Sequence, residues 1–239
     1  MTKNNILYCI TMAFMLMRLF FGAAQESPKT EVTSLPQLPS LNEEGKSFGF
    51  AGMMGGLHND VLIAAGGANF PNGLPWEGGA KRFTDAIFVF VEGVWQIASE
   101  KLPSPLAYGA SVPLPEGVLV IGGEDGSTAT NAVFLLRYNP KNNTVEQESY
   151  PSLPEPLAYC AAVVEDGFVY VVGGKNMGHS VNSFYRLSLK NKTIWERLPD
   201  FPGESRALHT VVVQETKGDR RLFVLVKNLL YQRTIFPTT

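Results

Sequence analysis

Three segments of the chain run β-branched and aromatic residues into a pair of adjacent glycines: "VLIAAGG" ending at Gly66-Gly67, "VLVIGG" at Gly122-Gly123 and "VYVVGG" at Gly173-Gly174. The pairs are 56 and then 51 residues apart. A period of about 50 residues marks a solenoid or a propeller, where each repeat is one supersecondary unit that buries its apolar face only against its neighbours. The flanks repeat too. "PLAYGASVPLPEGVLVIGG" from Pro105 and "PLAYCAAVVEDGFVYVVGG" from Pro156 each reach their first glycine 17 positions after the proline, and "GFAGMMGGLHNDVLIAAGG" from Gly49 has the same length and shape.

Each copy reads as two short apolar strands joined by a tight polar turn, at Leu57 to Asp60, Pro115 to Gly117 and Glu165 to Gly167. After each glycine pair comes a polar loop and a third strand: "DAIFVFV" from Asp85, "NAVFLLRYNP" from Asn131 and "VNSFYRLSL" from Val181. A fourth follows, "GVWQIASEKLP", "NTVEQESYPSLP" and "KTIWERLPDFP", with Trp95 and Trp195 in the same place. Four antiparallel strands per unit without helical periodicity predict an all-β fold, a kelch-type β-propeller. A residue without Cβ at the crowded inner end of a blade can take positive φ and admit a neighbouring backbone, which explains the glycines.

A fourth unit begins but does not repeat the pair. "ALHTVVVQETKGDRRLFVLV", Ala207 to Val226, aligns with "AYCAAVVEDGFVYVVGG" once four residues are inserted in the turn, and Val226-Lys227 then stand where Gly-Gly should. The remaining "KNLLYQRTIFPTT" matches no third or fourth strand. The sequence therefore predicts about three and a half four-stranded blades of a six-bladed ring, against the four to eight blades of closed propellers. A reading frame that stops short of further blades is the expectation that follows, to be checked on the downstream DNA. The predicted organisation is a signal peptide over 1–24, a leader over 25–47, a partial propeller over 48–226 and a tail outside the family over 227–239.

Of 239 residues 45% are hydrophobic and 18% charged, enough apolar material for a core and too little charge for a disordered chain. A net charge of −2 supplies no basic field, so no nucleic-acid partner is expected. Lys3 precedes an apolar run from Ile6 to Phe21 that ends in Gly22-Ala23-Ala24, the order of a secretory signal with cleavage after Ala24. The run is short for a membrane span and Arg18 interrupts it, so an exported, periplasmic protein without a stable membrane anchor is expected. Cys9 would leave with the signal, and Cys160 then stands alone as a small buried apolar residue.

The segments "AGGANFPNGLPWEGGAKRFTDAIFVF" and "LAYGASVPLPEGVLVIGGED" resemble the bacterial N-acetylneuraminate epimerases, kelch-propeller sialic acid mutarotases. The resemblance runs from Phe48 to Val226, and the long "ANFPNGLPWEGGAKR" loop takes it beyond generic kelch sequence. Units similar to the family's last two blades come first here, and "LPDFPGESRALHTVVV", similar to its opening blades, comes after, as in the cyclically permuted branch. The implied activity is that of an isomerase, a carbohydrate epimerase that interconverts α and β anomers of sialic acid by opening and closing the ring, with no cofactor. A non-catalytic kelch module that binds glycan or protein is the alternative, since fold alone settles no function.

Mutarotation needs a base for the anomeric hydroxyl, an acid for the ring oxygen and a cation for the sugar carboxylate. Glu124, directly after a glycine pair, falls at the mouth of the central pocket and is the candidate base, with a solvated loop carboxylate as the bland reading. The resemblance implies that the family's catalytic carboxylate and its arginine follow a glycine pair of another blade, which in the permuted order lies beyond Val226. His209 is three residues into an inner strand, in register with Cys160 and Gly109, where a proton shuttle or a packed, hydrogen-bonded ring are both open. Arg206 fits carboxylate binding or inter-blade bonding equally. Tyr108 and Tyr159 occupy equivalent positions, which argues for architecture first and a sugar contact second. Asn69, Asn72, Trp76, Lys81 and Arg82 belong to the long first loop, read as one wall of the pocket. Lys175 follows the third pair and could meet an anion. No His, Cys and carboxylate grouping has metal-ligand spacing.

Overall fold

The computed structural model describes residues 33–42, 45, 47–216, 219–226 and 229–234. The predicted signal segment and the first part of the leader lie outside the described residues. The chain divides into two compact units, 1–35 and 36–239. Of the first only 33–35 are described, without regular secondary structure. The second carries all the sheets found among the described residues.

Short runs of β-branched and aromatic residues, closed by tight polar turns, set the strands, and the middle strands of each sheet are apolar on both faces. The first sheet has β1 (Met54–His58), β2 (Val61–Ala65), β5 (Ala86–Val91) and β6 (Val94–Lys101), in the order β1-β2-β5-β6. Between β2 and β5 the segment that the sequence predicts to be loop throughout folds as a short ribbon, β3 (Ala68–Asn69) against β4 (Arg82–Phe83). The second sheet has β7 (Ala110–Leu114), β8 (Gly117–Ile121), β9 (Val133–Asn139) and β10 (Thr144–Ser149). The third has β11 (Ala161–Glu165), β12 (Phe168–Asn176), β13 (His179–Ser188) and β14 (Trp195–Leu198). All three sheets are antiparallel meanders in chain order from the inner strand outward. The tight turns fall where the sequence put them, with Asn59 and Asp60 at φ 51° and 60° and Asp166 and Gly167 at 48° and 74°, the positive φ at both central residues that hairpin turns favour.

A fourth sheet has β15 (Thr210–Thr216), β16 (Asp219–Val226) and β17 (Leu229–Thr234). The third strand corrects the sequence reading, in which nothing after Lys227 matched one. β17 pairs antiparallel with β16, Leu225 opposite Leu230 and Val226 opposite Leu229. Strand pairing is carried by the main chain, so an extended segment can take this place without resembling the strands that hold it elsewhere.

Inner strands β1, β7, β11 and β15 lie side by side in sequence order, as blades do around an axis. Apolar faces interleave between sheets. Ile63, Ile87 and Val89 of the first pack with Val118, Val120 and Leu136 of the second. Leu119, Ile121 and Leu135 pack with Val169, Val171 and Tyr185 of the third, and Tyr170, Val172 and Phe184 with Val211, Leu222 and Val224 of the fourth. Trp95 opposes Phe90 and Trp195 opposes Leu187, the shared place expected of them. Trp195 is buried and donates its indole N–H to the Pro151 carbonyl of the preceding unit at 2.8 Å.

The glycine pairs have one job in all three sheets. Gly67, Gly123 and Gly174 donate their N–H groups at 2.8 Å to the carbonyls of Leu106, Leu157 and Arg206, each from the segment leading into the next inner strand. A Cβ built on the first glycine of any pair would collide with that same carbonyl oxygen. One glycine makes the inter-blade hydrogen bond and the other leaves room for its acceptor. A second set of bonds circles the axis: Tyr108 N–H donates to Gly52 at 2.8 Å, Tyr159 to Tyr108 at 2.6 Å and Leu208 to Tyr159 at 3.1 Å. Tyr108, Tyr159 and Leu208 all sit in the left-handed region, at φ 61°, 56° and 57°.

Candidate functional site

The backbone fixes the residue after each glycine pair. Glu124 exchanges two hydrogen bonds with Ala107, at 2.9 and 2.8 Å, and Lys175 does the same with Ala158, at 3.0 and 2.7 Å. Ala107 and Ala158 directly precede the two left-handed tyrosines, so the post-glycine side chains and the tyrosines emerge together beside the axis. Glu124 and Lys175 line one cavity of about 500 Å³ with Ser127, Thr128 and Asn176. The loop beyond Glu124 is shaped by Asp125, whose carboxylate accepts the N–H groups of Ser127 and Thr128 at 2.7 and 2.8 Å, an Asx turn.

Tyr159 donates its hydroxyl to Glu124 Oε1 at 2.6 Å. Burial first, and then that hydrogen bond to the carboxylate, push the Tyr159 phenol well above its ordinary range, so it remains a proton donor to Glu124. Its ring stacks on Tyr108 with centroids 4.7 Å apart. Lys175 Nζ lies 5.5 Å from the Tyr159 centroid, and Lys81 Nζ lies 4.3 Å from the Tyr108 centroid, within cation–π range. Phe83 meets Tyr108 edge to face at 6.2 Å and also lies where a Cβ on Gly126 would stand, so the ribbon packs against the Glu124 loop.

The structure thus brings together Glu124, Lys175, Tyr108 and Tyr159 of the residues singled out in the sequence. Lys81 joins them as a closer participant than its place in the loop suggested, because the ribbon carries it back over Tyr108. Asn69 donates to the Gly49 carbonyl at 3.0 Å and lines a second cavity of about 480 Å³ with Lys81 and Tyr108. Arg82 is exposed and faces an adjoining hollow beside the leader residue Leu41 and Phe48. Arg206 is buried away from these cavities, its Nε donating to Glu204 O at 2.8 Å and its guanidinium 5.1 Å from the Phe201 ring centre.

His209 lines a third hollow with Tyr108, Tyr159 and Leu208. It is 8% exposed, and neither ring nitrogen makes a hydrogen bond of acceptable geometry, in contrast to the hydrogen-bonded packing weighed from sequence. Burial lowers its pKa to about 4, the Val172 backbone opposing the fall and Arg206 adding to it. The ring is neutral at pH 7. Cys160 is buried and free, as expected, its thiol pushed up to about 11 by burial.

Sheets with inner strands around an axis, glycine pairs at each inner end and a polar mouth define a kelch-type β-propeller. The family model described as N-acetylneuraminate epimerase matches residues 22–145, more than half the chain, and the kelch motif matches 156–202. The chain belongs to the N-acetylneuraminate epimerase family. It is 40% identical to the N-acetylneuraminate epimerase of Vibrio cholerae over 123 residues, which cover 47% of this chain and 31% of that protein. It is 39% identical to the enzyme of the same name from Brucella suis over 119 residues, 46% of this chain and 30% of the other. The chain therefore spans about a third of the length of the curated relatives it matches. A solved structure titled "Structure of YjhT" superposes with a TM-score of 0.57 at 19% identity, over 79% of this chain and 70% of that one, a likeness of fold.

Proposed function

We propose that this protein acts on N-acetylneuraminate as a mutarotase, exchanging its α and β anomers, with the reacting carbon held at the Glu124 cavity. The observation that carries the reading is the pairing of Glu124 and Lys175 at equivalent post-glycine positions on one cavity, with Tyr159 hydrogen-bonded to Glu124. Family membership and the name shared by the relatives supply the reaction.

In this reading the Lys175 ammonium meets the sugar carboxylate as a point charge. Glu124 takes the proton from the anomeric hydroxyl. The bond between the anomeric carbon and the ring oxygen breaks, its electron pair goes to the ring oxygen, and that oxygen gains a proton from water, leaving the open-chain ketone. Reclosure on the other carbonyl face runs the transfers backward and returns the proton from Glu124. No net proton or electron is consumed. The work is general acid–base catalysis by a positioned carboxylate, and Tyr159 fixes where that carboxylate points.

Proton NMR of freshly released α-N-acetylneuraminate tests it. The protein should speed the decay of the α signal toward equilibrium, and Glu124→Gln should slow the catalysed rate by about a hundredfold, the scale of one lost acid–base group. Exchange no faster than in buffer would leave a binding module in place of an enzyme. The apolar run at Ile6 to Phe21 and the Gly22-Ala23-Ala24 site support action outside the cytoplasm, which recovery of the chain from the periplasm with a mass set by cleavage after Ala24 would check.

A further inference from the structure

The turn at the tip of the long loop is specified more completely than a surface connection requires. Leu74 N–H donates to Glu77 Oε2 at 2.9 Å and Glu77 N–H returns to the Leu74 carbonyl at 2.9 Å. Gly79 N–H reaches the same carbonyl at 3.0 Å, and Gly78 N–H reaches Pro75 at 3.2 Å. Pro75 pre-sets the entry to the 3-10 turn Pro75–Glu77, and Gly78 leaves it in the left-handed region at φ 84°. A Cβ on Gly79 would overlap the Gly73 carbonyl, so the close approach of the two arms depends on glycine there.

None of these bonds involves the side chain of Trp76, which stands 79% exposed at the centre of the turn. An indole offers one of the largest apolar surfaces of any side chain, and holding it in water on a pre-folded turn contributes nothing to the turn itself. Rigid aromatic side chains presented on ordered loops bind ligands well because few rotamers are lost on contact.

The flanks identify the chemistry of the ligand. Leu74 and Lys81, on either side of the turn, line the cavity of about 480 Å³ that also holds Asn69, Phe70 and Tyr108. Tyr108 stacks on Tyr159, and Tyr159 bonds Glu124. The turn therefore rises beside a hollow whose Tyr108 wall is linked, through Tyr159, to the carboxylate of Glu124. A pyranose has an apolar C–H face and a hydroxyl edge. The face suits an indole, and the edge suits the Lys81 ammonium and the Asn69 amide.

We propose that Trp76 is a sugar-stacking platform that packs against the C–H face of the sugar acid and sets its affinity without taking part in proton transfer. The proposal rests on the axial site as the place where the sugar binds. It deepens the mutarotase reading, and a separate readout can test it.

The chain has three tryptophans, of which Trp195 is 4% exposed, Trp95 is half-buried and Trp76 is by far the most open, so Trp76 is the indole a ligand reaches from solution, and Trp76→Phe separates its emission from that of the other two. Titration with N-acetylneuraminate should give a saturable change in tryptophan fluorescence that Trp76→Phe abolishes. In the NMR exchange assay Trp76→Ala should raise KM about tenfold with kcat within about twofold, the pattern of lost uniform binding, and Trp76→Phe should fall between. Thermal unfolding of Trp76→Ala at the wild-type temperature would confirm that the exposed substitution leaves the fold intact. A fluorescence change that persists in Trp76→Phe, no saturable change in the wild type, or an unchanged KM in Trp76→Ala would overturn the platform. Fast exchange with an unchanged KM sinks the platform alone. A saturable signal that depends on Trp76, without any acceleration of exchange, sinks the mutarotase reading and keeps the platform.

Discussion

Gly122 and Gly167 both have positive φ, at 61° and 74°, yet they face different surroundings. A Cβ on Gly167 meets nothing within 4 Å, whereas on Gly122 it meets the Leu157 carbonyl that Gly123 needs as an acceptor. Gly167→Ala should therefore cost about 1 kcal/mol, the left-handed penalty alone. Gly122→Ala should cost about 3 kcal/mol or more, because the strained φ and a broken inter-blade contact add together. Urea midpoints at a constant m-value measure the contrast, and equal losses would mean that the glycine pair is only a turn. His209 gives a residue-scale dependence on pH. Its folded pKa, near 4, lies below the 6.5 of an unfolded histidine. Between those values the unfolded chain binds the proton and the folded one does not. The contribution is full above about pH 6.5, shrinks as pH falls and is gone below about pH 4, a span worth on the order of 3 kcal/mol. His209→Gln should flatten the fall in stability between pH 7 and pH 4.5, read from the same urea midpoints, and an unchanged slope would place the dependence elsewhere.

Sheets are joined at their outer ends by devices less regular than the glycine pairs. Lys192 donates to Glu116 Oε1 and to the Tyr150 hydroxyl, both at 2.8 Å, tying the turn before β14 to the β7–β8 turn. Tyr138 N–H donates to His58 Nδ1 at 3.1 Å, tying β9 to β1. These contacts join residues 42, 76 and 80 positions apart, and no local pattern announces them. The inner ends were legible because the same residues recur at a fixed period. Four strands per unit, the hairpin turns and the equivalence of Tyr108 with Tyr159 all follow from setting the repeats in register. β17 was not legible, since the apolar pattern of Leu229–Thr234 resembles none of the other third strands and only its pairing with β16 defines it. Part of the site was legible for the same reason as the fold. Glu124 and Lys175 stand out because each follows a glycine pair. Lys81 does not, because its position over Tyr108 depends on the β3–β4 ribbon, whose two strands are two residues each and give no periodic signal. Arg206 shows the reverse limit: its register was clear, but its guanidinium lies against the Phe201 ring, which no repeat pattern announces.

At the scale of the whole sheet array, cohesion is set by the number of neighbours a sheet has. The second and third sheets pack on both faces, and every residue of β8 is buried. The first sheet packs one face against the second. Its other face carries Leu57 and Ile97, 62% and 45% exposed, on the same side as Phe90 and Trp95. The fourth packs Val211, Leu222 and Val224 inward, and its other face shows Val212 and Leu225, each 38% exposed. In a stack where each unit contacts only its neighbours, stability is the sum of unit terms and interface terms, so sheets with one interface open before sheets with two. Apolar surface left in water makes the same distinction, because it withholds about 25 cal/mol for each Å² that an interior sheet buries. Native-state amide exchange should then show a gradient. Amides of β8 and β12 should exchange slowest, through near-global unfolding, while those of β15 and β16 exchange through a smaller opening that leaves the second and third sheets intact. One common exchange free energy across all four sheets would mean that the array unfolds as a single cooperative unit, and that the glycine-pair hydrogen bonds couple the blades more tightly than their packed faces do.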